Sequence, residues 1–181
     1  VIVIPMRIRY AALFFIGALA WSAPSGALAA TYITSDITSD TEWTISGSPY
    51  VVNPVTNPFL QPPFTIQSGT TLTIDPGVVV KFAENNGLTV NGTLRALGNA
   101  SNPIIFTSLQ DDSAGGDTNG DGTDTAPTDL QWMHIEFSSG SNGSFNYATV
   151  RYGGALPMTP MVMTGIANLG GTVVLNHTTL T

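Results

Sequence analysis

Apolar and polar residues alternate in short runs along the chain, and Gly, Asn and Pro residues separate these runs. In residues 71–82, TLTIDPGVVVKF, the alternation continues to Ile74, breaks at Asp-Pro-Gly and then resumes. A period of two over about four to eight residues predicts β-strands that bury one face. The predicted inward residues are Leu72, Ile74, Val78, Val80 and Phe82, and the predicted outward residues are Thr71, Thr73, Val79 and Lys81.

The same pattern returns further along the chain. Residues 87–98, GLTVNGTLRALG, superpose on residues 71–82 at an offset of sixteen, and PIIFTS adds a third short strand. Residues 145–151, FNYATVR, match residues 175–181, LNHTTLT, at an offset of thirty. In these segments a strand bends at Asn91, Asn146 and Asn176. Because Asn tolerates the left-handed conformation, we expect these residues to form the corners.

Short strands that return after roughly twenty to thirty residues predict a parallel β-helix. In that fold each coil stacks on the next at about 4.8 Å and buries a common apolar column. We expect Leu72, Leu88 and Ile104 to share such a column. An antiparallel β-sandwich is the alternative, because alternating strands and turn sequences such as DPG and NG also occur in hairpins.

Five segments carry a resemblance to a known group of proteins: TLTIDPGVVVKF, GLTVNGTL, NPIIFTS, DDSAGGDTNGDG and ATVRYGG. They resemble secreted bacterial right-handed parallel β-helix repeat proteins, which are related in shape to pectate lyases. The resemblance covers roughly residues 41–181 and implies an all-β fold, a right-handed parallel β-helix (solenoid). Such proteins usually have many more coils, so we expect an N-terminal fragment whose partners include the remaining C-terminal coils of the same polypeptide.

The beginning of the chain has the pattern of an export signal. Arg7 and Arg9 form a short basic region, residues 11–21 form an apolar run, and Ala-Leu-Ala-Ala predicts cleavage near Ala29. The apolar run is shorter than a membrane-spanning helix needs, although a retained N-terminal anchor is the alternative. We therefore predict a signal peptide at 1–29, no membrane insertion after its cleavage, and a secreted or cell-surface location.

The rest of the chain divides into a cap and a stack of coils. Residues 30–64 are predicted to form an N-terminal cap and a connection, and residues 65–181 the coils, with a loop insertion at 110–129. A cap covers the apolar column at the first coil and prevents association through strand edges. The residues expected to close that end are Trp43, Ile45, Tyr50 and Val52.

Charged residues are sparse and mostly acidic. The chain has 5 basic and 12 acidic residues and a net charge of −7. Cleavage of the signal removes two arginines, which leaves 3 − 12 = −9. This charge disfavours nucleic acid and anionic membranes as partners and is compatible with bound cations. Because the chain has no Cys, its core or bound ions must stabilise it instead of disulfides.

The acidic sequence DTNGDG at 117–122 matches the first half of a calcium loop, D-x-[DN]-x-[DN]-G. Ca²⁺ takes about six to eight oxygen ligands, so Asp111 or Asp112 could reach in from the other limb of the insertion. The alternative is a solvated acidic loop without an ion. The residues predicted to hold a structural Ca²⁺ are Asp117, Asn119, Asp121, Thr123 and Asp124.

The sequence does not indicate a set of catalytic residues. Lys81, Arg95 and Arg151 are interpreted as solubilising surface charges, and His134 is expected to face outward without a partner motif. Aromatic rings exposed on the coils can stack on sugars. The residues predicted for such ligand binding are Trp132 and Tyr147, while the alternative has Trp132 packing at the base of the insertion and Tyr152 in the core.

Together these features favour an exported structural or adhesive module that presents surface loops, one of them stiffened by Ca²⁺. The alternative is a carbohydrate-active enzyme of the polysaccharide-lyase type, or its non-catalytic glycan-binding part. The expected partner is an extracellular glycan or a cell-surface component.

Overall fold

The computed structural model describes residues 29–52, 63–154 and 165–181. The predicted signal peptide up to residue 28, and residues 53–62 of the predicted connection, lie outside this part of the chain. Within the described residues the chain forms short strands and a single 3-10 turn at Ile45–Gly47. The strands are β1 (Thr31–Ile33), β2 (Thr41–Trp43), β3 (Tyr50–Val52), β4 (Phe64–Ile66), β5 (Thr71–Ile74), β6 (Val79–Phe82), β7 (Leu88–Val90), β8 (Thr93–Leu97), β9 (Ile104–Ser108), β10 (Ile135–Phe137), β11 (Asn142–Asn146), β12 (Ala148–Val150), β13 (Ile166–Asn168), β14 (Thr172–Asn176) and β15 (Thr179–Leu180).

These strands form three sheets, and every pairing between them is parallel. Sheet A has the order β1-β3-β6-β9-β12-β15, sheet B has β4-β7-β10-β13, and sheet C has β2-β5-β8-β11-β14. From β4 onwards the chain visits sheets B, C and A in turn and then returns beside its own earlier strand. The arrangement confirms the all-β, parallel prediction, is consistent with a parallel β-helix, and contradicts the antiparallel sandwich.

The strand register confirms one of the two predicted repeats and corrects the other. Asn146 pairs with Asn176, as the offset of thirty predicts. The offset of sixteen is wrong, because Leu72 on β5 pairs with Leu94 on β8, whereas Leu88 on β7 belongs to sheet B. All strands of one coil share the same alternation of apolar and polar residues. Sequence similarity therefore does not distinguish consecutive strands of a coil from strands that stack on each other.

The inward side chains form continuous columns between the sheets. Val80, Phe106 and Val150 are paired in register across β6, β9 and β12, and all three are buried. The Phe145 ring meets Phe106 edge-on at 5.8 Å and Phe137 at 6.0 Å, so it joins the three sheets at the centre. Complete burial of such a side chain contributes about 1.5–3 kcal/mol, and these columns are the main source of stability.

The corner between sheets C and A is built differently from the sequence prediction. Tyr147 and His177, with φ of 46° and 48°, take the left-handed conformation that we expected of Asn146 and Asn176. The two asparagines instead form a ladder: Asn176 Nδ2 donates to Asn146 Oδ1 (2.7 Å), and Asn146 Nδ2 donates to the Gly98 carbonyl (3.0 Å). The rings that follow them, Tyr147 and His177, stack at 4.3 Å. Hydrogen bonds from the side-chain amide groups therefore hold the corner, while Tyr147 and His177 supply its backbone turn.

The region predicted as an N-terminal cap contributes strands to the sheets. β1 pairs with β3 and β2 pairs with β5. Trp43, Tyr50 and Val52 are buried, as expected, and the Trp43 and Tyr50 rings stack at 4.7 Å. The burial expected for Ile45 is wrong, because this side chain is 57 % exposed; it lies in the 3-10 turn outside the sheets. None of the helical segments in the described part of the chain is long and apolar enough to span a membrane.

The opposite end of the stack leaves part of its inward column uncovered. Leu175 and Leu180 are 46 % and 38 % exposed, whereas Phe145 and Val150, their partners in the preceding coil, are 0 % and 1 % exposed. The strands keep the same register, so the difference arises because no further strand lies over β14 and β15 within the described residues.

Candidate functional site

The insertion between β9 and β10 lies across the outer face of sheet A. Tyr32 Oη donates a hydrogen bond to the Thr118 carbonyl (3.3 Å). A Cβ atom added at Gly115 would lie 2.9 Å from Pro49 Cβ and 3.4 Å from Val79 Cγ1. The insertion therefore packs directly on β3 and β6. Outward residues of these strands, which alternation alone would leave in solvent, are covered by it.

Lys81 is the clearest case of this covering. It lies between Val51 and Thr107 in the outward row of sheet A, and all three side chains are fully buried. The prediction that Lys81 is a solubilising surface charge is therefore wrong. Its Nζ donates to the Gly116 carbonyl (2.5 Å). Burial lowers the pKa of Lys81, and the nearby carboxylates, first that of Asp112, oppose this effect.

An ion pair between the half-buried Arg151 and the buried Asp111 fixes the start of the insertion to the coil. Arg151 Nη2 donates to Asp111 Oδ2 (2.5 Å), and Thr107 Oγ1 donates to the same oxygen (2.5 Å). The backbone N–H and the hydroxyl of Ser113 donate to Asp111 Oδ1 (3.2 and 2.6 Å). Burial alone would raise the pKa of Asp111. The hydrogen bonds from Ser113, Thr107 and Arg151 outweigh this effect, so the pKa is lowered. The interpretation of Arg151 as a solvated surface charge is therefore also wrong.

Three carboxylates of the insertion converge on one point. Asp112, Asp117 and Asp121 each place an oxygen within 4.8 Å of the others. Asp117 is held by the N–H groups of Gly120 (2.7 Å) and Gly122 (2.9 Å), and these bonds lower its pKa. Burial raises the pKa of Asp112, and the neighbouring Asp117 adds to that rise. The two pKa shifts differ in direction because Asp117 accepts hydrogen bonds from backbone N–H groups, whereas Asp112 is desolvated by burial and also faces other carboxylates.

Several side-chain oxygen atoms of the insertion have no hydrogen-bond partner among the described residues. Asp112 Oδ1, Asp121 Oδ1 and Thr118 Oγ1 are buried atoms without a partner within the described part of the chain. A buried carboxylate oxygen without a partner destabilises the protein by about 1–3 kcal/mol or more. These atoms are hard oxygen ligands of the kind that Ca²⁺ prefers. A cation bound between the carboxylates would offset their mutual repulsion. It would also give the buried oxygens of Asp112 and Asp121 a partner.

The formal charges of the groups that interact at this cluster are compatible with a divalent cation. Four carboxylates and two basic groups interact here, so the net charge is −4 + 2 = −2. One divalent cation would bring this sum to zero. The six groups are Asp111, Asp112, Asp117, Asp121, Lys81 and Arg151.

Two of the five predicted ligands, Asp117 and Asp121, belong to the group of converging carboxylates. Asn119 Nδ2 donates to Asp121 Oδ2 (2.9 Å) and to Thr125 Oγ1 (3.1 Å), so this residue orients Asp121. Thr123 and Asp124 are exposed, and Asp124 does not belong to the group of converging carboxylates. Asp112 joins Asp117 and Asp121 in that group. The adjacent acidic pair at 111–112 was the only signal for it in the sequence.

The two aromatic candidates lie in different environments. Trp132 is fully buried, its ring stacks on Phe82 at 4.3 Å, and Nε1 donates to the Arg151 carbonyl (2.9 Å). It is therefore not exposed for stacking on a sugar, and the exposure expected of it is wrong. Tyr147 is half-buried, and one of its faces is stacked on His177.

The buried state of His134 also differs from the sequence prediction. Its Nε2 lies 3.5 Å from Glu136 Oε2, while Nδ1 is buried without a hydrogen-bond partner. The Met133–His134 backbone contacts Gly87, where an added Cβ would lie 2.6 Å from the His134 carbonyl oxygen. Close packing at Gly87 thus holds His134 against sheet B.

Comparisons with protein-family models, with curated proteins and with solved structures found no match to this chain.

Proposed function

We propose that this protein is an exported structural or adhesive module, in which a stack of parallel coils presents an insertion stiffened by one Ca²⁺. The observation that carries the proposal is the convergence of Asp112, Asp117 and Asp121 on one point, with buried oxygens that lack partners. A loop that served only as a solvated connection would turn its carboxylates towards water. The insertion instead packs on sheet A and gathers them together.

Three converging carboxylates fit a hard divalent cation. Asp112, Asp117 and Asp121 would hold it, and water would complete its coordination. The cation would supply positive charge that offsets the excess of −2 and joins the two limbs of the insertion. Lys81 and Arg151 offset the remaining negative charge from the side of the coils.

Export and the N-terminal cap belong to the same proposal. Export rests on the basic and apolar pattern of residues 1–29. The cap is supported by the stacked and buried Trp43 and Tyr50. At the other end of the column, Leu175 and Leu180 leave an apolar surface.

Titration calorimetry of the full chain with Ca²⁺ tests the cation site. We expect saturable binding with one Ca²⁺ per chain and a rise in melting temperature, since a ligand at a hundredfold its Kd stabilises by about 2.7 kcal/mol. Asp121→Asn removes one converging carboxylate and should weaken binding roughly tenfold or more. Asp124→Asn is the matched control, because it makes the same change of charge at an exposed position in the same loop.

Binding to wild type and Asp124→Asn, but only weak binding to Asp121→Asn, would support the site. Equal weakening in both variants would mean that the loop attracts cations only through its overall charge. Absence of binding at millimolar Ca²⁺ would contradict the proposal outright.

A non-catalytic role in binding glycans is the second candidate. A cavity beside the insertion, with Tyr152 in its wall, favours it. Screening the chain against immobilised glycans, with a lyase assay on the same polysaccharides, separates this role from catalysis. Retention of a glycan without cleavage would support a binding module, and formation of unsaturated products would indicate an enzyme.

A further inference from the structure

The chain contains four Asn-Gly pairs, which begin at Asn86, Asn91, Asn119 and Asn142. In such a pair the backbone nitrogen of Gly can attack the side-chain carbon Cγ of Asn. Gly favours this attack because it has no side chain in the way and its backbone reaches conformations that other residues avoid. In a folded protein the attack also depends on how firmly the backbone holds that nitrogen, and the four pairs differ in this respect.

The coils hold three of the four pairs in place. A Cβ atom added at Gly87 would lie 2.6 Å from the His134 carbonyl oxygen, and one added at Gly143 would lie 2.5 Å from the Phe137 ring. Gly143 also lies within β11, which pairs with strands on both sides. The Gly92 N–H donates to a backbone carbonyl of β4 (3.1 Å). The backbone nitrogens of these glycines therefore turn towards Asn only if contacts of the coils are broken.

The fourth pair, Asn119 and Gly120, lies in the insertion, and both residues are exposed. A Cβ atom added at Gly120 would meet nothing within 4 Å among the described residues. The Gly120 N–H donates to the side chain of Asp117 (2.7 Å), so its nitrogen is not held by a neighbouring strand. The backbone of this pair can therefore rearrange without loss of any strand pairing.

Two carboxylates beside the pair are placed for the proton transfers that the attack requires. Asp117 Oδ1 accepts the Gly120 N–H at 2.7 Å, within the reach of about 2.6–3.2 Å that a general base needs. Asp121 Oδ2 accepts a bond from Asn119 Nδ2 (2.9 Å), the amide nitrogen that would leave. Both carboxylates belong to the converging group. A cation bound there would engage their oxygens and hold the turn between them.

We propose that Asn119 is a deamidation site whose conversion to a carboxylate is slowed by a bound cation. The Gly120 nitrogen forms a bond to Asn119 Cγ, the Cγ–Nδ2 bond breaks, and ammonia leaves with the proton from Gly120. Water then opens the resulting cyclic imide at one of its two carbonyl carbons and gives aspartate or isoaspartate. The control by the cation rests on the proposed function, whereas the preference for Asn119 over the other three pairs does not.

The aspartate product would change the cation site itself. Residue 119 is the third position of the D-x-[DN]-x-[DN]-G pattern, which accepts either Asp or Asn. Deamidation replaces an amide donor beside Asp121 by a carboxylate and adds one negative charge to the insertion. The affinity of calcium loops is set partly by the number of charged ligands. Deamidation to aspartate would therefore act as a slow, irreversible increase in cation affinity.

Peptide mapping by mass spectrometry tests the site, on the full chain incubated at mildly alkaline pH in chelator and in Ca²⁺. In chelator we expect Asn119 to deamidate about tenfold faster than Asn91 or Asn142, and Ca²⁺ should slow it about tenfold. In chelator, Asp117→Asn should also slow it about tenfold, because the proton acceptor is lost. Asp124→Asn is the matched control, since it makes the same change of charge at an exposed position and should leave the rate unchanged.

Calorimetry separates this proposal from the cation site. Asn119→Asp reproduces one product and should bind Ca²⁺ about threefold or more tightly than wild type. Equal deamidation rates at the four pairs, or equal slowing by Asp117→Asn and Asp124→Asn, would overturn the proposal. Equal rates in Ca²⁺ and chelator, in a chain that binds Ca²⁺, would overturn the control by the cation. Rapid deamidation of Asn119 in a chain that binds no Ca²⁺ would support the modification site and contradict the proposed function.

Discussion

The pair of Asp111 and Arg151 holds the insertion to the coils, and its contribution to stability can be worked out and measured. Asp111→Asn removes the negative charge with little change in shape, and Arg151→Met removes the positive charge and keeps an apolar stem. The backbone carbonyl of Arg151, which accepts the bond from Trp132 Nε1, is unchanged in both variants. The double variant completes a thermodynamic cycle.

The expected loss of stability follows from the distance between the two charges and from the exposure of the two side chains. Two opposite charges about 4 Å apart attract by about 4 kcal/mol at an effective dielectric constant near 20. Removing one partner of a buried pair destabilises by about 3–5 kcal/mol. Side-chain exposure is 1 % for Asp111 but 25 % for Arg151, and water reaching the guanidinium reduces the loss. We therefore expect each single variant to lose about 2–3 kcal/mol, with a coupling energy of about 1.5–2 kcal/mol.

Urea denaturation followed by tryptophan fluorescence measures these losses, in Ca²⁺ and again in chelator. The pH dependence gives a second test. The folded pKa of Asp111 lies below its ordinary value of 3.8, so its contribution is complete above that pH and is lost as pH falls through the lower, folded pKa. The stability difference between wild type and Asp111→Asn should shrink below pH 3.8.

Two results would refute this account. If the losses of the two single variants add to that of the double variant within about 0.5 kcal/mol, the ion pair does not couple the insertion to the coils. If the difference between wild type and Asp111→Asn stays constant down to strongly acidic pH, the charge of Asp111 does not provide the stability.

Three further predictions concern the insertion that covers Lys81, the buried ring of Trp132 and the exposed leucines of the last two strands. Lys81 is the only lysine of the chain, so mass spectrometry can follow its acylation relative to that of the N-terminal amine. Acylation should be slow in Ca²⁺ and fast in chelator. Equal rates would show that Ca²⁺ does not hold the insertion over Lys81. Trp132→Ala should lose about 3–5 kcal/mol in urea denaturation because the ring is fully buried, and a loss below about 1 kcal/mol, the usual scale of surface changes, would contradict its place in the core. We expect the exposed Leu175 and Leu180 to cause self-association that Leu175→Ser combined with Leu180→Ser reduces in sedimentation equilibrium; a monomeric wild type, or unchanged association of the variant, would contradict this.

Alternation along single strands was enough to predict several parts of the fold. Leu72 and Ile74, predicted to face inward, are buried, and the offset of thirty places Asn146 beside Asn176. These features depend on the two-residue period of a strand and on side-chain ladders that repeat from coil to coil. Both leave a pattern that is visible within a short segment. The pattern was compatible with parallel and with antiparallel strand pairing, and the observed sheets show that the pairing is parallel.

The cation cluster was predictable only in part. The spacing of Asp117 and Asp121 gave two converging carboxylates, because a tight glycine turn brings them together locally. Asp111 and Asp112 are neighbours with the same side chain, yet Asp111 pairs with Arg151 and Asp112 joins the cluster. The direction of each side chain depends on how the insertion lies on sheet A, which its own sequence does not encode.

Burial of the outward residues was decided by the tertiary structure alone. Lys81 and Val79 occupy outward positions, as alternation requires, but the insertion lies over them and excludes water. Trp132 follows the same insertion and packs on Phe82. A period of two tells which face of a strand a residue occupies, and it carries no information about what later covers that face. The sequence therefore determined the strands and their inward columns, whereas contacts between distant segments decided which charges and rings are withdrawn from solvent.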